Sequence, residues 1–398
     1  MNGNFLKTYR NSTPVVNING YEMKVEDVIF SAIVGGINTL IVSETGGGKT
    51  QILYDVLYGL FGGKGNYIRA TPDMDIKDVF IAINLEKLTK KEGTTQDVIE
   101  IVESVKSPFT AIDELNRAPP ITQNQLLNIL DGYIEFRGRR YPLGFKLEGN
   151  EYYHVGMASI NVGDKYYGTF GIDPAILDRF GLIVDIDYYY PRTEDIIEIL
   201  YQEPSLTVPQ TEDRLNEILK HYKEIKSRNL PIETILVILY LNQGIDYVSK
   251  EPYSQRKLKG NIPDGTHEKG GIQGLLSPIS VRCCKQIAHL YKAMTYVAEL
   301  MGYPHDEDFY LNNTLEVLKL ILPYSGSLKK DMVDGKYHGN QLLATQEVIR
   351  EVKKKFESMS KKIVDVIVKK RNGTLILEDL ESFDEEWKFV KEFIRLTE

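Results

Sequence analysis

Apolar residues recur at helical spacing at Ile52, Leu53, Val56, Leu57 and Leu60, just after a β-branched run, Thr39-Leu40-Ile41-Val42, that reads as a buried strand. Ahead of this pair a helix is predicted from Val25 to about Val34, stopped at Gly35-Gly36. Residues 1–24 are polar, with turn signals at Asn11-Ser12-Thr13-Pro14 and Asn19-Gly20. Asn66–Arg69 reads as a second strand, and Thr71-Pro72-Asp73 opens a mixed stretch to about Leu88. Lys90–Gly93 is a solvated turn, a helix is predicted over Thr95–Val105, and Phe109-Thr110-Ala111-Ile112 is a short buried strand. Alternation at period two about Arg137-Gly138 predicts a β-hairpin. Strands alternating with helices place the N-terminal half in the α/β class.

The second half reads as helical. Helices are predicted over about Glu194–Tyr201, Glu212–Ser227 and Ile232–Tyr247, followed by a polar, glycine-rich loop, Glu251–Gly274. Another helix opens at Leu276-Ser277-Pro278-Ile279-Ser280-Val281-Arg282, with Ile287, Leu290 and Tyr291 on its apolar side. Ile349, Val352, Phe356, Met359, Ile363 and Val366 keep a three-four spacing, a heptad-like seam on one long helix. Gln346–Arg371 carries nine Lys/Arg and four Asp/Glu, a net of +5, while Asn372–Glu398 carries three and eight, a net of −5. Opposite charges on adjacent segments favour an intrachain hairpin packed on the preceding helices. A nucleic-acid patch on Lys353-Lys354-Lys355, Lys361-Lys362 and Lys369-Lys370-Arg371 is the competing reading, and it leaves the acidic tail without a role.

Composition narrows the class. The chain has 398 residues, 42% hydrophobic and 26% charged, as in a water-soluble globular protein of two to three domains. A formal charge of −8 excludes a globally basic nucleic-acid footprint. The two cysteines, Cys283 and Cys284, are adjacent in a helical pattern, where a disulfide is unfavourable, so they read as thiols in a reducing compartment. The longest uninterrupted apolar run, Ile235–Leu241, is far short of the ~20 residues a spanning helix needs. No basic-apolar-small signal opens the sequence, and a cytoplasmic location is expected.

Between the strand and helix of the opening lies Ser43-Glu44-Thr45-Gly46-Gly47-Gly48-Lys49-Thr50. Strand, glycine turn and helix are the context of a phosphate-binding P-loop, in which backbone N–H groups and the helix N-terminus converge on an anion. Lys49 would reach the β- and γ-phosphates of a nucleoside triphosphate, and the Thr50 hydroxyl would sit on Mg²⁺. Ser43 stands where the usual pattern has its first glycine. The plain alternative is a glycine-rich turn; Gly48-Lys49-Thr50 at the start of a helix favours phosphate binding. The buried strand at 109–112 runs into Asp113-Glu114. Asp113 would hold Mg²⁺ through water and Glu114 would polarise the attacking water, in place of a simple helix cap.

Asp113-Glu114-Leu115-Asn116-Arg117-Ala118-Pro119-Pro120, then Thr122-Gln123 and Leu126-Leu127, resembles the MoxR branch of the AAA+ ATPases. The likeness runs through Gly132–Leu143 and covers roughly residues 25–200. His154–Asn161 resembles the strand that ends in the sensor-1 asparagine, here Asn161, although the chain continues with Val162 where the family has Gln-Asn-Pro-like residues. Asp173–Phe180 resembles the segment with the arginine finger, at Arg179, and Arg282 matches the sensor-2 arginine of the lid, which reaches back to the γ-phosphate. The resemblance implies an AAA+ α/β core over 1–192, an α-helical lid over 193–302 and a C-terminal helical extension over 303–398. It implies an ATPase using ATP and Mg²⁺ in a homo-oligomeric ring, expected to be a hexamer, that remodels a protein client as a chaperone of complex or metalloenzyme assembly.

No Asn-Lys-x-Asp guanine signature is present, which favours ATP over GTP, and no Asp-x-Ser-x-Ser motif, so a von Willebrand A partner would be a separate chain. The six histidines lack ligand spacing. A rival from another class is a nucleic-acid-directed AAA+ motor, helicase-like or McrB-like, with the hairpin bearing Arg137, Arg139 and Arg140 on the strand. A third is a nucleotide-gated scaffold with negligible turnover.

Overall fold

The turn at Asn19-Gly20 closes a hairpin of β1 (Val16–Ile18) and β2 (Tyr21–Met23), with both turn residues at positive φ, 52° and 83°, the geometry that matches strand twist. In the computed structural model this hairpin leads into α1 (Val25–Gly35), where the Asp27 carboxylate accepts from the Lys24 N–H and Gly36, at φ 65°, ends the helix. The structure describes residues 5–74, 81–83, 99–101, 103–136, 138–162, 170–201, 212–245, 272–381, 383 and 387–396. There follow β3 (Thr39–Ser43), α2 (Lys49–Gly59) and β4 (Gly65–Arg69). Beyond them lie β5 (Ile81–Ile83) and β6 (Ile99–Ile101), an antiparallel pair, then β7 (Phe109–Asp113) and α3 (Pro120–Leu130).

Of the helix expected over Thr95–Val105, residues 95–98 and 102 lie outside the described residues, and the described ones are not α-helical. Its centre is the strand β6, and Glu103–Lys106 is a single 3-10 turn. Ile99-Glu100-Ile101 alternates, with a β-branched residue on each side of Glu100, and that preference prevails at these positions over the helical spacing also present. The predicted hairpin is β8 (Tyr133–Phe136) with β9 (Arg139–Pro142); Arg137 lies outside the described residues. A second hairpin, β10 (Phe145–Lys146) and β11 (Tyr152–Tyr153), precedes β12 (Val155–Asn161), the short α4 (Pro174–Leu177) and β13 (Leu182–Asp185).

Five strands form one parallel sheet in the order β13-β3-β12-β7-β4. Alternate residues face opposite layers: Leu40, Val42, Ile112, Ala158 and Ile183 pack on one side, and Ile41, Ala111, Met157, Leu182 and Val184 on the other. Burial on both faces explains why these strands read as continuous apolar runs. Because β3 lies between β13 and β12, the loop leaving its carboxyl end opens into the crevice where open α/β sheets bind ligands.

The remainder is helical: α5 (Thr193–Tyr201), α6 (Leu215–Ser227), α7 (Ile232–Leu239), α8 (Ile272–Leu275), α9 (Val281–Leu300), α10 (Tyr310–Ile321), α11 (Lys330–Tyr337), α12 (Gln341–Arg371), α13 (Leu377–Glu381) and α14 (Lys388–Leu396). The helix expected over Ile232–Tyr247 gives way at Tyr240 to a π turn, Tyr240–Gly244. Of the loop expected over Glu251–Gly274, residues 251–271 lie outside the described residues and Ile272–Gly274 belong to α8. On α12 the heptad-like seam is buried at Val352, Phe356, Ile363 and Val366, with Ile349 and Met359 packed against the same core. Trp387 stacks on Tyr240 at 5.3 Å and meets Phe356 at 5.1 Å, and Lys369 pairs with Asp379 at 2.7 Å. The acidic tail folds back on the basic helix, and Lys355 lies over the Tyr240 ring.

Candidate functional site

The glycine loop joins β3 to α2 with Gly46 and Gly48 at φ 89° and 83°, a backbone that a side chain would strain. Gly47 is required for space: a Cβ there would stand 2.4 Å from the Ser43 hydroxyl. The Tyr9 hydroxyl donates to the Gly47 carbonyl at 2.7 Å, so the N-terminal strap lies on the loop. Ser43 is buried at the end of β3, while Glu44 and Thr45 are exposed. The buried Lys49 ammonium donates to the Ser43 carbonyl (3.0 Å), the Ser43 hydroxyl (2.9 Å) and the Glu44 carbonyl (2.6 Å). Burial pulls its pKa below the ordinary lysine value, while Asp187 and Asp113 pull the other way.

Thr50 and Asp113, 63 residues apart in sequence, meet directly, the Thr50 hydroxyl donating to Asp113 Oδ2 at 2.8 Å. Two further hydroxyls converge on the same carboxylate. Tyr67 donates to Oδ2 at 2.7 Å and Ser159 to Oδ1 at 2.5 Å. Ser159 Oγ in turn accepts the Glu114 N–H at 2.9 Å. Glu114 sits in the left-handed region at φ 56°, a conformation that non-glycine residues hold at a cost and that clusters at active sites. Its carboxylate lies between Arg69 and Arg117, each 3.3 Å away.

Asn161 ends β12 in register with Ser43, the first residue of the loop. Its carbonyl accepts from Asn116 Nδ2 at 2.8 Å. Arg179 lies elsewhere. It grips Asp131 Oδ2 with Nε (3.0 Å) and NH2 (2.8 Å) and donates to the Ala175 carbonyl. Arg282, expected to reach its own γ-phosphate position, is instead placed beside Arg179, pairing with Asp178 at 3.3 Å and Asp131 at 3.6 Å. The N-terminus of α9 explains this: Ser280 caps the helix and also donates to Asp178 at 2.6 Å, which turns the first helical turn toward the end of α4. The eight loop residues, Asp113, Glu114 and Asn161 are thus brought together, while Arg179 and Arg282 form a second cluster.

The residues fit a nucleotide and a divalent cation: an open loop of positive-φ glycines, a buried ammonium, and a hydroxyl already on a buried carboxylate. Tyr67, Ser159, Arg69, Arg117 and Asp187 are participants not expected from the sequence. Asp187 Oδ2 accepts the Glu44 N–H at 2.7 Å; Asp185, at the end of β13, accepts from Asp187 N and from Tyr324 OH (2.7 Å), which ties the segment after α10 to the loop. For Tyr67, Arg69 and Ser159 the signal is the sheet order, since β4 and β12 flank β7, whereas Arg117 lies one turn from Glu114 in the sequence itself.

Residues 38–180 match the family model of the AAA domain, dynein-related subfamily. No curated protein matches the sequence. Among solved structures, a Cytophaga hutchinsonii protein provisionally named an ATPase aligns with a TM-score of 0.55 at 17% identity, over 85% of this chain and 90% of that one. A full-length MCM homologue from Methanopyrus kandleri aligns at 0.39 and 14% identity, over 73% of this chain and 55% of that one. No described helix is long and apolar enough to cross a membrane. With residues 38–180 matching that AAA-domain model, the chain folds as a P-loop AAA+ α/β core continued by helices.

Proposed function

We propose that the chain is an Mg²⁺-dependent ATPase that works in a homo-oligomeric ring and couples hydrolysis to remodelling of a protein client. The observation that carries the ATPase reading is the Thr50–Asp113 hydrogen bond, which joins the phosphate loop and the acidic pair in one site. Lys49 and the loop amides would hold the phosphates, and Thr50 and Asp113 the Mg²⁺. The cation would supply neutralising charge on the phosphate oxygens. Glu114, fixed by Ser159 and flanked by Arg69 and Arg117, orients and polarises water, and Asn161 stands beside the loop as sensor 1.

The ring reading is supported by the second cluster. Arg179 and Arg282 share Asp131, and among the described residues their side chains pair with Asp131, Asp178 and the Ala175 carbonyl, none of which belongs to the loop or to the acidic pair. Two guanidiniums gathered there serve a nucleotide held by a neighbouring copy, as a finger and a lid arginine acting together. Residues 1–192 act as the core, 193–302 as the lid and 303–398 as the extension. The MoxR branch, a hexamer, a chaperone role in complex or metalloenzyme assembly, a separate von Willebrand A partner and a cytoplasmic location rest on the sequence resemblance. The hairpin at Arg139 and Arg140 faces the client.

The experiment is mixing. Arg179→Ala and Lys49→Ala chains are each inactive alone yet assemble, and together they regain partial ATPase activity, because an intact loop then faces an intact finger. Fingers of this kind contribute ~10³–10⁵ in rate, so the recovery is large against the single variants. Subunit exchange without any recovered activity refutes the trans arrangement.

A further inference from the structure

The Asp113 carboxylate is 3% exposed and carries about four lone-pair sites, three of which are filled by hydroxyls. Two of those hydroxyls have a second duty. Thr50 keeps a lone pair for a cation while its proton stays on Asp113, and Ser159 also accepts the Glu114 N–H. Tyr67 has no such backbone duty. Its ring lies 4.7 Å from Tyr54 at an interplanar angle of 12°, and Tyr54 stands on α2, the helix that begins with Lys49 and Thr50. β4 pairs with β7 in the register Tyr67↔Ala111 and Arg69↔Asp113, so the tyrosine reaches diagonally along the sheet to the carboxylate two residues on. An edge strand, a stacked ring and a charged acceptor fix that hydroxyl.

We propose that Tyr67 is a positioning residue for the divalent cation, holding Asp113 Oδ2 toward Thr50 so that the site fills at low Mg²⁺; this rests on reading Asp113 as the metal-holding carboxylate. A competing donor is Lys49, the buried ammonium one residue before Thr50, now held by Ser43 and the Glu44 carbonyl. With Tyr67 in place, Oδ2 is saturated by two neutral donors and Asp113 is not drawn to the lysine. Without the hydroxyl, the freed Oδ2 lone pair draws the carboxylate toward water or Lys49, and the lone pair left open on Oδ1 is no longer held toward the cation's position beside Thr50.

The test is Tyr67→Phe in the full chain, which keeps the stacked ring. Binding of a fluorescent ATP analogue is titrated with MgCl₂ and repeated in EDTA, beside a melting curve. The Mg²⁺ midpoint is expected to rise about tenfold, the factor equivalent to one charged hydrogen bond of about 1.4 kcal/mol, with binding in EDTA within about twofold of wild type. An unmoved or lowered midpoint overturns the proposal, as does a loss of binding that is the same in Mg²⁺ and EDTA, or a collapsed melting curve. Asp113→Asn separates the two levels. If it keeps the wild-type Mg²⁺ response, the reading of Asp113 fails; if it loses that response and Tyr67→Phe does not, only the role of Tyr67 fails.

Discussion

Ser159→Ala removes one oxygen atom and takes two contacts with it. The side chain is fully buried, donates to Asp113 Oδ1 at 2.5 Å and accepts the Glu114 N–H at 2.9 Å. A hydrogen bond to a charged group contributes about 1.5–3 kcal/mol, and a buried donor left without an acceptor costs about 1–3 kcal/mol. Both losses pass through the same atom and partly relax together, so the expected destabilisation is about 3 kcal/mol. Unfolding entropy of about 2.1 cal/mol/K per residue over 398 residues gives about 0.8 kcal/mol per degree. The melting temperature should therefore fall by about 4 °C, measured by differential scanning fluorimetry without nucleotide. Glu114 is the residue most exposed to the loss, because its left-handed backbone is tied down by this hydroxyl. ATP turnover should fall at least tenfold while nucleotide binding, which depends on Lys49 and the loop amides, stays within a few fold. A variant that melts within a degree of wild type and turns over normally refutes the claim that Ser159 holds the acidic pair.

Glu114→Gln keeps the size and the αL backbone but removes the charge from between Arg69 and Arg117; ATP binding should survive with turnover down by about a hundredfold or more, in line with loss of a general base, and normal turnover would move the base elsewhere. His154 is half-buried, its Nε2 3.0 Å from the Thr110 hydroxyl, and desolvation pushes its imidazole down to about 4. Because this folded value lies below the unfolded one, the unfolded chain binds the extra proton between about pH 6.5 and 4, and stability falls as pH drops through that window. His154→Gln should lose less melting temperature between pH 7.5 and pH 5.5 than the wild type does; the buried carboxylates Glu26, Asp55 and Asp185, all shifted upward by burial, titrate in both proteins and cancel in the comparison.

What could be read from the sequence was local. The loop and its flanking strand and helix are carried by eight consecutive residues and the periodicities beside them, and Asp113-Glu114 by the end of one apolar strand. The seam on α12 was legible for the same reason, since its spacing is internal to one helix. What covers the seam was not: Tyr240 and Trp387 are 147 residues apart (387 − 240) and meet only through folding. The strand at Ile99–Ile101 reads as helix in the sequence because Val98, Ile101, Val102 and Val105 keep helical spacing while only Ile99 and Ile101 alternate about Glu100, and β-branching at those two decides for the strand.

Tyr67, Arg69 and Ser159 belong to the first kind of element and the second kind of contact. Each stands in a correctly placed strand, yet its role follows from sheet order, because β7 lies between β4 and β12 and so receives side chains from both neighbours at its carboxyl end. The same logic separates the arginines. Sequence alignment with a motif places Arg282 at the start of a lid helix, but the cap at Ser280 and the Asp178 carboxylate decide which way that helix start faces. Glu114 completes the pattern. A glutamate at positive φ breaks a local preference, and no neighbouring residue in sequence compensates for it; the compensation is Ser159, 45 residues on, which also holds Asp113. On the proposed reading, a strained acid stands where a glycine would be easier because the site calls for a carboxylate fixed next to Asp113, and the hydroxyl that offsets the strain is the one that joins the two acids.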